Sequence, residues 1–411
     1  MQRILLAVFV VVVSGLSGAT KAEGGLSAPS GQCQMGYWSS NRNLDTRKDI
    51  GVANCLLTWR QRVTESTRVV FSGRGGYGFS GEAGDWTGRV REAYVDAESG
   101  RWSLRLGRQV LAWGRADRIN PTDNLAPRDF TLLVAEDEDQ RMGIDAARLR
   151  YEMSPSLATS AVLARFTAHK TPTGLLPPNV VRVSEPNRAE WALKLDHTGS
   201  IDWSVSYFNG YERFARYAAV FLSPASFVFQ RMFERSRVLG FDAATAAGAW
   251  TVRTEMAYAD LSPDCTNCVS YKRKVTRAVI GADRDFWETA NVNVQLFALR
   301  RSNYVDPMTL MGTQQSIALG LDRLNSEFGR DEWGFTLRLS QHLFNERLKL
   351  EFSGIADMTN HSSVLRPRLV YAYSDGLRLG AGADRFQGKM QSFFGSRKAN
   401  DTVFIEATLV F

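Results

Sequence analysis

From Thr402 to Phe411 the chain carries apolar side chains at every second position: Val403, Ile405, Ala407, Leu409 and Phe411. About ten residues alternating in this way can cross a bilayer as one tilted strand, with one face toward lipid and the other toward a lumen. An ordinary soluble domain has no reason to close on an outward-facing phenylalanine. The pattern recurs. Trp203, Val205 and Tyr207 alternate with Asp202, Ser204 and Ser206; Trp333, Phe335, Leu337 and Leu339 alternate with Thr336, Arg338 and Ser340; Leu348, Leu350 and Phe352 alternate with Lys349, Glu351 and Ser353. A chain built from such segments has one economical solution, an all-β transmembrane antiparallel barrel, because in a bilayer only a closed sheet satisfies every backbone group.

Strands are expected at 34–41, 53–62, 67–77, 86–97, 101–110, 142–152, 156–168, 188–198, 201–212, 235–246, 249–260, 274–285, 290–301, 332–342, 347–358, 363–374, 377–386 and 401–411, eighteen in all. The first is the weakest pattern; single-chain bacterial barrels favour even numbers, so eighteen is preferred and sixteen is the alternative. With the last strand running inward from outside, every second connection should be a short periplasmic turn. These fall near Thr64-Glu65, Ser99-Gly100, Ser154-Pro155, Thr198-Gly199, Ala247-Gly248, Glu288-Thr289, Asn345-Glu346 and Asp375-Gly376, and all are short. The long connections, 111–141, 169–187, 213–234, 302–331 and 387–400, lie on the other side; 359–362 is a short exception. Trp59, Trp102, Trp203, Trp250 and Trp287 cluster at the periplasmic ends, and Trp86 and Trp333 at the outer ends, as interfacial girdles require.

Residues 1–22 read as a secretory signal: Arg3, an apolar core over Ile4–Val13, then small residues allowing cleavage after Ala19 or Ala22. The remaining 23–411 read as one barrel domain, without a linker, a tandem repeat or an amino-terminal plug. Mean hydropathy is −0.23, which is compatible with a barrel because its lumen face is polar. No later apolar run is long enough for a spanning helix. The formal net charge of +7 falls to +5 once Arg3 and Lys21 are removed with the signal. No basic run with interleaved aromatics supports nucleic-acid binding. The four cysteines, Cys33, Cys55, Cys265 and Cys268, suit the disulfides of an oxidising compartment. A Cys33–Cys55 bridge would pin the first strand to the second, and Cys265-Thr266-Asn267-Cys268 reads as a loop staple rather than half a zinc site. No metal site and no cofactor are expected.

Alternation assigns Arg89, Arg91, Arg105, Lys194, Arg253, Arg338, Lys349, Arg366, Arg368 and Arg378 to the lumen, with Glu190, Glu255, Glu351 and Asp384. This basic excess favours anionic solutes, although charges on neighbouring strands can also simply pair. Arg366-Pro367-Arg368 places two guanidinium groups on one face, suited to carboxylate or phosphate. The third outer loop, from Trp113 to Phe130, mixes turn-forming Asn-Pro and Pro residues with charges of both signs. Folded inward, it would form a constriction from Arg115, Asp117, Arg118, Asp123, Arg128 and Asp129; left outside, it would be a rigid loop held by its own ion pairs. Glu136-Asp137-Glu138-Asp139 could bind a divalent cation, but solvation is the expected state.

The Leu106-Gly107-Arg108-Gln109 passage into Trp113-Gly114, the glycine-rich strands and the final phenylalanine resemble Gram-negative outer-membrane porins, nearest in look to alginate-export-type channels. That resemblance implies passive passage of a small or polymeric charged solute through a basic lumen, in contact with outer-membrane lipid and lipopolysaccharide. Neither direction nor oligomeric state follows from it. Two other readings stay open: a hydrophobic-compound transporter, and a scaffold, adhesin or secretion partner acting through outer loops such as the aromatic 213–234. An enzyme is not expected, since His169, His197, His342 and His361 stand in no serine-hydrolase motif.

Overall fold

The computed structural model describes residues 27–40, 48–80, 83–134, 137–171, 181–182, 185–223, 226–263, 268–269 and 273–411. The signal segment and Cys265 lie outside the described residues. In chain order the strands are β1 (Ser30–Ser40), β2 (Lys48–Arg62), β3 (Thr67–Ser80), β4 (Ala83–Ser99), β5 (Trp102–Gln109), β6 (Ile144–Ser154), β7 (Leu157–Arg165), β8 (Val181–Arg182), β9 (Ala189–His197), β10 (Ile201–Tyr211) and β11 (Arg216–Ser223). They continue as β12 (Ser226–Met232), β13 (Arg235–Ala247), β14 (Trp250–Ser262), β15 (Cys268–Val269), β16 (Arg273–Phe286), β17 (Ala290–Arg301), β18 (Asp331–Leu343), β19 (Leu348–Asp357), β20 (Ser362–Ala372), β21 (Leu377–Gln387) and β22 (Thr402–Val410).

Eighteen of these form one antiparallel sheet, and β1 closes it by pairing with both β2 and β22. Each predicted strand has its counterpart, and the eight predicted short turns fall at one end. The outward face carries an apolar belt that includes Leu239, Phe241, Met256, Ile280, Leu296, Leu339, Leu350, Leu369 and Ile405, all exposed. Exposed apolar area this continuous is stable only when lipid covers it. Trp102, Trp287, Trp86 and Trp333 are exposed near strand ends, whereas Trp38 and Trp113 are buried inside.

Cys33 faces Cys55 in register and forms the expected disulfide, closing a sequence separation of 22 residues between the first two strands. Cross-linking a loop of this size stabilises by about 3 kcal/mol through the unfolded chain. Cys33→Ser should therefore lower the urea midpoint of the detergent-solubilised barrel; an unchanged midpoint would mean that the seam is held by its ladder alone. Cys268 is disulfide-bonded.

The long connections differ from simple loops. Within 213–234, β11 and β12 pair with each other and join β15 and, in parallel, β8 in a separate four-stranded sheet at the long-loop end. The 302–331 connection contains helix α1 (Gly312–Asn325), whose Ile317 and Leu321 pack on Ala219, Tyr217, Phe227 and Phe229. Tyr217, Phe227 and Phe229 thus join the core of a cap, whereas Phe214 and Phe221 are exposed and Phe233 packs with Phe166 and Tyr211. Within it, Tyr304 donates to Asp322 at 2.9 Å. Burial pushes the Asp322 carboxyl up to about 6, against the Tyr304 hydrogen bond. A carboxyl raised in the folded state stabilises it most below the ordinary carboxylate range, and that contribution is lost as pH rises to about 6. Amide protection factors in α1 should accordingly be higher at acidic than at neutral pH, and Asp322→Asn should flatten the difference. A wild-type profile that is already flat would contradict this.

Candidate functional site

The site is assembled from an irregular segment and the inner faces of the strands. After β5 the chain leaves the wall, and residues 110–134 and 137–143 lie within the barrel before it rejoins the wall at β6. Two kinds of contact hold it. Leu111, Trp113 and Leu125 are buried among inward residues of seven strands, Ile144, Val162, Ala192, Phe208, Val238, Ala257 and Val275 among them. Each such side chain contributes roughly 1.5–3 kcal/mol. On the other side of the lumen Leu133 packs with Trp38, Ile50 and Phe404.

The polar contacts centre on Glu255 of β14. Its Oε1 accepts the backbone N–H groups of Arg115 and Ala116, both at 2.5 Å. Its Oε2 accepts the Thr122 N–H at 3.2 Å and the Thr122 hydroxyl at 3.0 Å. One wall carboxylate thus satisfies the backbone of a turn that has no secondary structure to do so. Gly114 makes the approach possible: its φ is +90°, and a Cβ there would lie 2.5 Å from Glu255 Oε1 and 2.1 Å from Asn120 Oδ1. The Arg115 guanidinium donates to Asp242 of β13, and at 3.1 Å to Ser204 Oγ of β10. Asp117 accepts from Asn293 at 2.5 Å and pairs with Arg253 at 3.5 Å. The Arg118 N–H reaches Gln295 Oε1 at 3.3 Å.

The far end of the segment docks on β1–β4. Asp129 pairs with Arg89 at 2.6 Å and with Lys170 at 3.7 Å. The Arg91 Nε donates to the Arg141 carbonyl at 3.2 Å. Arg91 is the extra residue of a bulge, since Ser72 faces Glu92 while Gly73 faces Val90; bulges re-aim side chains in this way. Arg141 bonds Asp123 and Glu138. Asp123 is buried, which pushes its carboxyl up against the pull of Arg141. Arg128 lies 3.7 Å from Glu138, and its N–H donates to His169 Nδ1 at 2.8 Å. Burial, with Arg213 and Arg128 nearby, lowers the His169 pKa to about 3, so the ring stays neutral. The acidic run departs from expectation: Asp139 is not simply solvated but pairs with Arg74 at 3.4 Å and accepts from Gln32 at 3.0 Å.

The wall from β18 to β22 is different, because the polar contacts of the inward segment fall elsewhere. There Glu351 pairs with Lys349 at 2.7 Å and with Arg338 at 2.8 Å, Arg366 pairs with Asp384 at 2.5 Å, and Arg368 with Glu406 at 2.6 Å. Arg368 on β20 reaches Glu406 on β22 across the whole width of β21. Glycines stand at the two positions it passes; a Cβ at Gly380 would lie 2.7 Å from Glu406 Oε1. Arg378 has no ion-pair partner among the described residues. Five cations thus face three carboxylates along this wall, with Lys349 and Arg378 at the short-turn end.

The other assigned lumen residues are also paired. Arg105 lies 2.7 Å from Asp96 and over the Tyr94 ring; Lys194 is 2.8 Å from Asp196; Arg253 bonds Asp283; Glu190 is 2.7 Å from Arg213. Asp96, Asp196, Asp242, Asp283 and Glu406 were absent from the sequence assignment. Their signal was present: outward Leu239 and Phe241 fix Asp242 inward, and outward Val403 and Ile405 do the same for Glu406. The lumen is therefore less one-sidedly basic than the sequence list implied.

No protein-family model and no curated protein sequence matches the chain. Its fold is similar to solved channels. Pseudomonas aeruginosa OccK2 (OpdF), in complex with glucuronate, matches with a TM-score of 0.57 at 11% identity, covering 95% of this chain and 99% of that one. Acinetobacter baumannii OccAB2 matches equally, at 0.57, 11%, 95% and 99%. P. aeruginosa OpdK with vanillate gives 0.53 at 12% identity, covering 94% of this chain and 100% of that one. At these identities the likeness concerns the fold. It bears out the outer-membrane porin barrel that the sequence suggested without singling out the alginate-export type.

Proposed function

We propose that the chain is a channel of the Gram-negative outer membrane for passive passage of small anionic solutes. The observation that carries this reading is the wall from β18 to β22, where Arg338, Lys349, Arg366, Arg368 and Arg378 face three carboxylates while the inward segment narrows the opposite side. A carboxylate entering this side exchanges against Asp384 or Glu406 for two parallel N–H bonds from a guanidinium. Because Arg338, Arg366 and Arg368 already have carboxylate partners, the stops at them are shallow, which suits conduction over several weak sites. Two of the similar structures are complexes with glucuronate and vanillate, both carboxylates. The reading assigns no catalytic step, cofactor or energy source, and it takes the first 22 residues as the export signal.

The test is the reversal potential of single channels in a planar bilayer under a KCl gradient. Anion preference is expected. Arg366→Gln with Arg368→Gln leaves Asp384 and Glu406 uncompensated, so the anion-to-cation permeability ratio should fall roughly 2- to 10-fold. Absence of conductance, or a cation preference in the wild type, would sink the proposal.

A further inference from the structure

Outside the lumen, the outward face bears a second charged feature. On β13, β14 and β16 the register sets Arg237 opposite Asp260, and Asp260 opposite Lys274. All three point outward, since Val238, Ala259 and Val275 beside them are buried on the inner side. Neighbouring strands lie about 4.8 Å apart, so the two cations stand about 10 Å from each other along the wall. Asp260 sits between them, yet neither Arg237 nor Lys274 has a carboxylate within 4 Å among the described residues. Arg235 lies one outward position further from the belt, and exposed Arg300, 3.7 Å from Asp331, flanks the row on β17. Directly below the row begins the apolar belt: Leu239 and Phe241 on β13, Tyr258 and Met256 on β14, Ile280 on β16 and Leu296 on β17, all exposed.

We propose that this row holds the phosphate-bearing headgroup of a membrane lipid in the leaflet at the long-loop end. Two cations without internal partners, at the upper edge of a lipid-facing belt, meet a headgroup phosphate while its acyl chains lie along Leu239, Phe241 and Met256. A free phosphate would have no use for the belt, and continuity of charge with apolar surface favours the lipid. Each basic side chain near such a surface adds to the attraction for an anionic headgroup. The row faces away from the lumen, so the site is independent of the channel reading.

The probe is bisphosphorylated lipid A, titrated into detergent-solubilised wild type and into Arg237→Gln with Lys274→Gln, with bound lipid counted by native mass spectrometry. Binding should weaken about tenfold or more in the double variant. It should be unchanged in Arg385→Gln, an exposed outward cation on β21. Millimolar inorganic phosphate should not displace the lipid, and the double variant should keep wild-type conductance in phosphatidylcholine bilayers. Undiminished lipid binding in the double variant overturns the proposal. So does an equal loss in Arg385→Gln, which would show diffuse charge attraction, or displacement by phosphate, which would show a free-anion site.

Discussion

Glu255→Ala is expected to raise single-channel conductance by roughly twofold or more, with added current noise, because pore radius at the narrowest point sets the current. The carboxylate accepts three backbone N–H groups and one hydroxyl from Arg115, Ala116 and Thr122. Truncation leaves these donors inside the barrel without their acceptor, at about 1–3 kcal/mol for each that stays dry. The turn from Gly114 to Thr122 then gains by swinging into water, while Trp113 and Leu125 still anchor its ends. The outer wall is untouched, so the barrel should fold. Glu255→Gln keeps one acceptor oxygen and should fall between the two. Wild-type conductance and noise in Glu255→Ala would mean that the apolar anchors alone fix the segment, and that the carboxylate latch is redundant.

The second large effect lies at the long-loop end. Glu327, just after α1, receives Arg273 of β16, Arg216 of β11 at 2.7 Å and Arg301 of β17 at 3.2 Å. Burial works against its charge, yet the three guanidinium groups together hold its carboxyl below the usual range. Glu327→Ala leaves three partly buried cations with Glu234, Glu332 and, near Arg216, Glu212 as the remaining carboxylates. Removing one member of a buried ion cluster costs about 3–5 kcal/mol, much of it from the charges left behind. The loss should be local: amides of α1 and the β11–β12 hairpin should exchange faster and the 302–331 connection should be cut sooner by protease, while the barrel keeps its urea midpoint. Protection equal to wild type would show that the apolar core of Ile317, Leu321 and Ala219 carries the cap unaided.

Much of the lumen was legible because its rule is local. A strand fixes the face of each side chain by parity, so Arg338, Glu351, Arg366 and Arg368 were assigned by their outward neighbours. The misses have particular causes. Arg91 was assigned inward with Arg89, but it is the extra residue of a bulge that shifts parity along β4, so the same alternation would turn Asp96 outward, whereas Asp96 pairs inward with Arg105. Asp139 was read as solvated because its partners, Arg74 and Gln32, lie 65 and 107 residues away along the chain. The helix at Gly312–Asn325 was hidden in a connection whose hydrophobic residues make sense only against the β11–β12 hairpin.

By itself the sequence determined the barrel: eighteen alternating segments, short turns at one end, aromatic girdles, and the Cys33–Cys55 pin at the seam. These follow from period-two patterning and from the need of a bilayer-spanning backbone to pair every group within the sheet, both of which operate over a few residues. Only the tertiary structure decided that the segment from 110 to 134 turns inward. That choice depends on Glu255 and Asp242, more than a hundred residues downstream, standing on the wall where the turn at Gly114 can reach them. The same holds for the balance of charge in the lumen. Alternation tells which way an arginine points, but only the closed barrel sets Arg368 across two glycines from Glu406 and so decides how much of its charge a passing solute meets.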